Sequence, residues 1–302
     1  MSVLLFFVDG LGIGARGADN PLDGLDEAAP LAVFQGEDPK TIFDGKVIVT
    51  DACLGVSGRP QSASGQTTIL TGVNAPARLG YHKQGFPNAA LLEIIREHSI
   101  FRQLRSAGIM QITFANAYTD HFFKERPRWV SATTAAVEAA ELDFRTVDDL
   151  RAGRAVFQDF TNAVLIARGE PVTERSPEEA GKVLASVVAE NRFTLYEYFI
   201  TDKLGHDQDR EGARTTLTKL AAMIKTTLAT LDLERTTVIL TSDHGNIEDL
   251  STRNHTLNAV PTIAWGPARE RVAQQVHSLA DITPAILDVL GVESRRTGTN
   301  TR

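Results

Sequence analysis

The chain has 302 residues, 42% of them hydrophobic and 23% charged, with a formal net charge of −7. That length and apolar content allow one large buried core, or a core with a modest cap. The acidic balance, without any basic run or basic helix, excludes a general nucleic-acid-binding surface, and a small anionic substrate would need a local positive centre. Cys53 is the only cysteine, which excludes an intramolecular disulfide framework and a thiolate metal cluster and makes the cytoplasm the expected compartment. No apolar run approaches the roughly 18 residues of a spanning helix. The VLLFFV stretch near the N-terminus also lacks a basic leader and a signal core, so no membrane partner is expected.

In chain order, Val3 to Val8 is an apolar run that predicts a central parallel strand delivering Asp9 at its C-terminal end, followed by the glycine-punctuated turn Asp9 to Gly14. This glycine spacing is not the dinucleotide fingerprint, because no helix with an acidic residue about 20 positions on follows, and nicotinamide chemistry is set aside. Ala15 to Lys46, rich in Gly, Asp and Pro, predicts an irregular excursion that could wall a site. Lys46 to Asp51 is a short strand, and the polar stretch after it turns helical around Thr67 to Leu70. A serine at the mouth of that helix, Ser62 or Ser64, is either an N-cap or a nucleophile whose phosphorylated form those amides would hold. The local sequence does not separate the two.

Ala89 to Gly108 has helical spacing and a C-capping glycine, and the stretch from Ile109 reads as a strand. Two helices are expected around Thr133 to Leu142 and Thr146 to Arg151, and the capping box at Ser176 to Glu179 opens another to about Glu190. A second apolar, aromatic run from Arg192 leads to Asp202, with His206 four residues later, a separation at which both can face one point on a helical turn. A long helix from about Ala213 to Leu231 precedes the β-branched run before Asp243 and His244, and the loop that follows supplies His255. Val260 to Pro267 predicts a strand and Asp281 to Val292 a closing helix. Alternating strands and helices predict an α/β fold, a three-layer sandwich with a mostly parallel sheet. One domain over 1–302 is expected, with room for a small cap or insertion within about 115–169.

Three strands ending in aspartate, at Asp9, Asp202 and Asp243, would crowd like charges at the sheet edge where ligands gather in such folds, so a cation should sit there. Three carboxylates, the neutral imidazoles of His206, His244 and His255 and two divalent ions would leave one positive charge, which attracts a phosphate dianion. Without metal such a site should reject its own substrate.

Asp9 after the first strand, a serine nine residues ahead of Thr71-Gly72, Asp202 to His206, the DHGN of Asp243 to Asn246 and the HTxNxVP of His255 to Pro261 together resemble the alkaline phosphatase superfamily. The likeness is to its metalloenzyme branch, which includes cofactor-independent phosphoglycerate mutase and phosphopentomutase. It implies one metal held by Asp202, His206 and His255, and another by Asp9, Asp243 and His244 with Ser62 as fourth ligand and nucleophile. Ser62 rather than Ser64 fits the family pattern, because Gly65 then falls three residues on. Manganese or zinc is the implied ion, and the implied chemistry is in-line attack by Ser62 on phosphorus followed by hydrolysis of phosphoserine.

The chain also departs from that branch. Gln66 stands where the mutases have a histidine, and Val73 to Thr201 leaves little room for their large inserted domain and basic pocket. Losing that enclosure favours hydrolysis over mutation, so a phosphohydrolase acting on a small phosphorylated metabolite is expected ahead of a compact phosphomutase. A non-catalytic metal-binding relative ranks last, because all seven ligand positions are filled. Cys53 lacks the CxPxR context of sulfatases. Arg59, Asn74, His82, Lys83 and Lys203 could touch substrate by position, although for each a solvated surface role is the expectation.

Overall fold

The structure, a computed structural model, describes residues 1–39 and 41–292. The N-terminal apolar run forms β1 (Ser2–Val8), and its side chains alternate between the two faces of a sheet. Val3, Leu5 and Phe7 enter one apolar layer, and Leu4, Phe6 and Val8 the other. A strand covered on both faces has no polar side, which is why the run reads as continuously hydrophobic.

The other strands are β2 (Lys46–Thr50), β3 (Ile112–Phe114), the short pair β4 (Ala117–Tyr118) and β5 (Arg145–Thr146), then β6 (Phe193–Tyr198), β7 (Thr236–Thr241) and β8 (Val260–Trp265). Six of them form one sheet in the order β2-β8-β7-β1-β6-β3. Strands β6 and β7 flank β1 in parallel, and β3 runs parallel to β6. β8 is antiparallel to both β7 and β2. No crossover helix separates β7 from β8, so the chain turns straight back and must pair antiparallel. The beginning of β8 therefore lies at the same edge as the ends of β1, β6 and β7, and residues 242–259 are confined there.

Helices Ser62–Thr71, Ala89–His98, Ile100–Ser106, Ala132–Ala139 and Ile282–Val289 cover one face. Helices Pro177–Ala189 and Arg210–Thr230 cover the other. This is the expected three-layer α/β arrangement. The capping box at Ser176 and Glu179 is formed as expected. The helical pattern from Ala89 to Gly108 is broken at Ser99, whose hydroxyl caps the second piece.

Two regions refine the sequence reading. The strap of residues 15–39 and 41–46 touches the loop at the sheet edge through Asp19, whose carbonyl accepts from the Leu250 amide, and Gln35, which donates to Asn258 Oδ1 at 2.8 Å, but its apolar side chains are used elsewhere. Leu22, Leu25, Leu31 and Phe34 pack into the layer beneath, and Arg214 and Lys225 of the long helix donate to carbonyls of that strap. The span 115–169 is divided: its Ala132–Ala139 helix belongs to the main core, whereas Ala117, Leu150, Ala155, Phe157 and Leu165 make a small cluster of their own beyond the end of β3. No described helix is long and apolar enough to cross a membrane.

Helices Pro177–Ala189 and Arg210–Thr230 approach closely at Gly181, where an added Cβ would lie 2.7 Å from the Met223 carbonyl oxygen. Alanine normally favours a helix over glycine by about 1 kcal/mol, but here the clash with backbone dominates. Gly181→Ala should destabilise the protein by roughly 1–3 kcal/mol in urea unfolding; a gain in stability would contradict this packing.

Candidate metal centre

Each ligand-bearing segment emerges where a strand stops pairing. The Asp9 amide donates to the Tyr198 carbonyl at 2.8 Å, extending the β1–β6 ladder by one residue before the chain turns at Gly10. Gly10 has φ +73°, and a Cβ there would lie 2.8 Å from the Asp202 Cα, so both conformation and space demand glycine. Asp202 and His206 sit one turn apart on the helix Ile200–Asp207. Gly205 between them lets the Asn246 side chain approach, and Asn246 donates to Asp202 Oδ1 at 2.8 Å.

The seven residues singled out in the sequence are brought together. His244 Nε2 lies 3.3 Å from Asp9 Oδ1, 3.4 Å from Asp243 Oδ2 and 3.0 Å from Ser62 Oγ. His206 Nε2 lies 3.3 Å from Asp202 Oδ2, and His255 Nε2 lies 3.5 Å from Asp202 Oδ1 and 3.2 Å from His206 Nε2. Asp9, Asp243 and His244 offer donor atoms all within 4.8 Å of one another, and so do Asp202, His244 and His255. The ring of His244 stacks on that of His255 and joins the two halves. Nδ1 of His255 is hydrogen-bonded to the Pro60 carbonyl and Nδ1 of His206 to the Arg253 carbonyl, which fixes both tautomers with Nε2 free to act as a ligand.

The two serines separate in the structure. Ser62 opens the helix Ser62–Thr71, but the cap position is Gln61 and the Ser62 hydroxyl faces His244. Ser64 is buried and tied to the Gln61 carbonyl and the Lys83 amide. Gln66, at the position where the mutases carry histidine, donates its amide to Asp9 Oδ2 at 3.0 Å and Asp243 Oδ2 at 3.2 Å, bridging two like charges.

Electrostatically the centre is frustrated without a cation. Burial, then repulsion from Asp243 and Asp202, holds the Asp9 carboxyl well above the ordinary range, and burial with Asp202 pushes Asp243 up to about 7. Burial and the neighbouring His255 lower His244 to about 3, leaving it neutral. Asp9 Oδ1 and His244 Nδ1 are buried without a hydrogen-bond partner. An orphaned buried carboxylate oxygen costs free energy, and a divalent ion beside Asp9 Oδ1 would satisfy it. The mixed oxygen and nitrogen donor set fits manganese or zinc.

Three contributors were not singled out from the sequence. Glu197, on β6, is a fourth buried carboxyl, raised by burial to about 7; its only signal was a lone acid inside an apolar run. Glu248 is buried and accepts from Gly12 N–H, Asn246 N–H, Thr256 Oγ1 and Asn258 Nδ2 at 2.6–2.9 Å. A Cβ at Gly12 or Gly245 would come 2.2 Å from its Oε1, which explains two glycines of the motifs. The third is a cavity of about 630 Å³ opening beside Ser62, Asp9 and Asp202, walled by Phe86, Tyr118, Phe122, Trp129, Phe157 and Phe199. Lys203 also lines it, while Arg59 lines a smaller cleft with His206 and His255. Asn74 is spent as a helix cap, His82 on the Val56 carbonyl and Lys83 on the Gln84 carbonyl.

Two outcomes follow for the metal-free protein. Asp9, Asp243 and Glu197 bind protons more tightly in the fold than in the unfolded chain, so their contribution to stability is complete at low pH and is lost as pH rises, through about 7 for Asp243 and Glu197. His244 acts in the opposite sense, costing stability below its ordinary value of 6.5. Three carboxyls outweigh one imidazole, so chelated protein should melt several degrees lower at about pH 8 than at about pH 5.5. Added manganese or zinc should raise Tm more at the higher pH. Glu248→Ala should weaken metal binding by about 10–100-fold in calorimetric titration, because its four donors come from the loops that carry the ligands.

The sequence family described as Metalloenzyme superfamily matches residues 156–294. The 2,3-bisphosphoglycerate-independent phosphoglycerate mutase of Dinoroseobacter shibae is 31% identical over 125 residues, 39% of this chain and 25% of that protein. The match thus spans a quarter of the relative's length. Among solved structures, the PH0037 protein of Pyrococcus horikoshii superposes with a TM-score of 0.53 at 14% identity, covering 99% of each chain. The alkaline phosphatase of the Antarctic bacterium TAB5 superposes with a TM-score of 0.50 at 13% identity, over 96% of this chain and 98% of its own. With the sheet order, these likenesses agree on the fold: the chain is an α/β sandwich like that of alkaline phosphatase, and its segment 156–294 is similar to the Metalloenzyme superfamily.

Proposed function

We propose that the chain is a two-metal phosphohydrolase that cleaves phosphate esters of a small molecule through a phosphoserine at Ser62. The observation that carries this reading is the position of Ser62 Oγ, directed at His244 from the first residue of a helix whose cap lies elsewhere. Asp9, Asp243, His244 and Ser62 would hold one ion, and Asp202, His206 and His255 the other. When bound, the two ions supply positive charge that activates the serine hydroxyl and offsets charge on the leaving oxygen.

The protein's own groups do the rest. The Ser62 oxygen attacks phosphorus as the bond to the leaving alcohol breaks. The amides of Ser62 and Ala63, which make no hydrogen bond among the described residues, point from the helix N-terminus and suit the phosphoryl oxygens. Gln66 holds Asp9 and Asp243 in register. Water then cleaves phosphoserine and frees phosphate. A reducing compartment such as the cytoplasm accords with the single thiol of Cys53.

A compact phosphomutase is the second reading, favoured by the mutase relatives that match part of the chain. Such an enzyme must keep the dephosphorylated intermediate enclosed while it turns over. The span 115–169 supplies Tyr118, Phe122, Trp129 and Phe157 to the cavity walls, but the apolar cluster of its own is only Ala117, Leu150, Ala155, Phe157 and Leu165. It lines one side of an open site and is too small to be a separate enclosing domain, which favours hydrolysis.

Metal-stripped protein given manganese, zinc or magnesium should release phosphate from p-nitrophenyl phosphate. Ser62→Ala should lower turnover by at least about 10³-fold while calorimetry still detects metal binding. Phosphoryl movement within a substrate, with little free phosphate, would select the mutase. No turnover with any ion or ester would leave a non-catalytic relative.

A further inference from the structure

We infer that the ester this site takes is a phosphate monoester of an apolar alcohol, the hydrocarbon part of which fills the aromatic cavity beside Ser62. The inference rests on the phosphohydrolase reading for the position of the phosphoryl group and goes beyond it in assigning the leaving group.

The cavity shares Ser62, Asp9 and Asp202 with the metal centre, so the organic part of an ester held at Ser62 has this cavity beside it to occupy. Its volume of about 630 Å³ suits a small molecule that becomes mostly buried on binding. Three of its walls are aromatic side chains left open to water: Trp129 is 53% exposed, Phe86 50% and Phe199 36%. Exposed apolar residues scattered singly need no explanation, but several converging on one cavity mark a binding surface. Tyr118 and Phe122 in the wall pack at 4.7 Å between centroids, and Phe144 backs Tyr118 at 4.6 Å, so these rings are held in place.

Charge argues in the same direction. A substrate with a second anionic group needs fixed cations near its far end. Lys203 is paired with Asp207 at 3.2 Å, and His121 faces Glu125 at 3.9 Å. Arg168 is the remaining cation of the wall, and Glu125 and Glu197 place carboxyls in the same lining. A second carboxylate or phosphate would meet as much negative as positive charge there, whereas an alkyl or aryl group displaces water from aromatic faces. In the reaction the Ser62 Oγ–phosphorus bond forms as the phosphorus–oxygen bond to the alcohol breaks, the alcohol departs with one proton, and water returns the phosphoryl group as inorganic phosphate.

Ethyl phosphate and n-octyl phosphate have the same leaving-group chemistry and differ in apolar size alone, so their comparison isolates the cavity. With the metal-loaded enzyme, kcat/KM for octyl phosphate should exceed that for ethyl phosphate by roughly a hundredfold or more, and 3-phosphoglycerate should be the poorest of the three. Trp129→Ala combined with Phe122→Ala should narrow the octyl-to-ethyl ratio by at least about tenfold. A merely structural defect would lower both rates and leave the ratio unchanged, which would overturn the inference.

Binding is read separately from turnover. The chain has two tryptophans, Trp129 in the cavity wall and Trp265, which is 1% exposed. Non-hydrolysable octylphosphonate should shift tryptophan emission to shorter wavelength in the wild type and not in Trp129→Phe, and ethylphosphonate should not shift it. Turnover with a flat ratio and no shift overturns the apolar substrate and leaves the hydrolase. A shift without turnover of any ester overturns the hydrolase and leaves the ligand class, and neither shift nor turnover overturns both.

Discussion

The carboxylate of Glu248 is the constraint on which the metal edge depends. It is buried, so its charge must be compensated inside the protein, and it is compensated by donors rather than by a cation. Those donors come from the loop after β1, from the loop after β7 and from the segment leading into β8. One saturated anion therefore fixes the relative positions of the segments that carry Asp9, Asp243, His244 and His255. The neighbouring glycines are the other half of the arrangement, because any side chain at Gly12 or Gly245 would occupy the volume of that carboxylate. Asp9 and Asp243 make the instructive contrast. Both are buried and share the side-chain amide of Gln66 as a donor; Asp243 adds only a long bond of 3.4 Å from the Gly10 amide, and Asp9 Oδ1 has no hydrogen-bond donor among the described residues. The same chemical group is finished in one place and left wanting a cation a few ångströms away.

Topology explains why so few residues suffice. Parallel strands deliver their C-terminal ends to one edge, which accounts for Asp9, Asp243 and the helix bearing Asp202 and His206. The reversal at β8 adds the residues before a strand to those that follow one, so His255 arrives without a further crossover. The stacking of His244 on His255 closes the gap between the two donor groups. The buried charged groups Asp9, Asp243, Glu197 and Glu248 gather at or near this edge, and elsewhere the buried polar groups of the sheet are mainly threonines such as Thr113, Thr194, Thr236, Thr237 and Thr262 among aliphatic and aromatic side chains.

Much of this was legible in the sequence, for identifiable reasons. The runs before Asp9 and Asp243 are apolar, rich in β-branched or aromatic residues and bounded by turn residues, so strand, strand end and terminal acid could be read together. The helical turn from Asp202 to His206 follows from spacing alone. Glu248 was not legible, because a carboxylate satisfied by backbone amides looks in sequence like any loop acid. Glu197 was hidden for the opposite reason, since its neighbours mark a buried strand in which an acid has no apparent partner. The direction of β8 depends on the lack of a crossover helix, a feature that its own residues do not encode. The aromatic cavity draws Phe86, Trp129 and Phe199 from distant segments, each of which alone reads as an ordinary exposed side chain.

The two donor groups also differ in their access to solvent. The side chains of Asp243 and His244 are fully buried, whereas His206 is 43% exposed and Asp202 17%. Under the proposed assignment, an ion held by Asp202, His206 and His255 would exchange with its surroundings more readily than one held by Asp9, Asp243 and His244, whose donors are more deeply buried. The inner ion would be the slower of the two to leave. The outer ion would follow the ambient supply of metal, so that two copies of the same polypeptide with different histories could carry different complements and different activities.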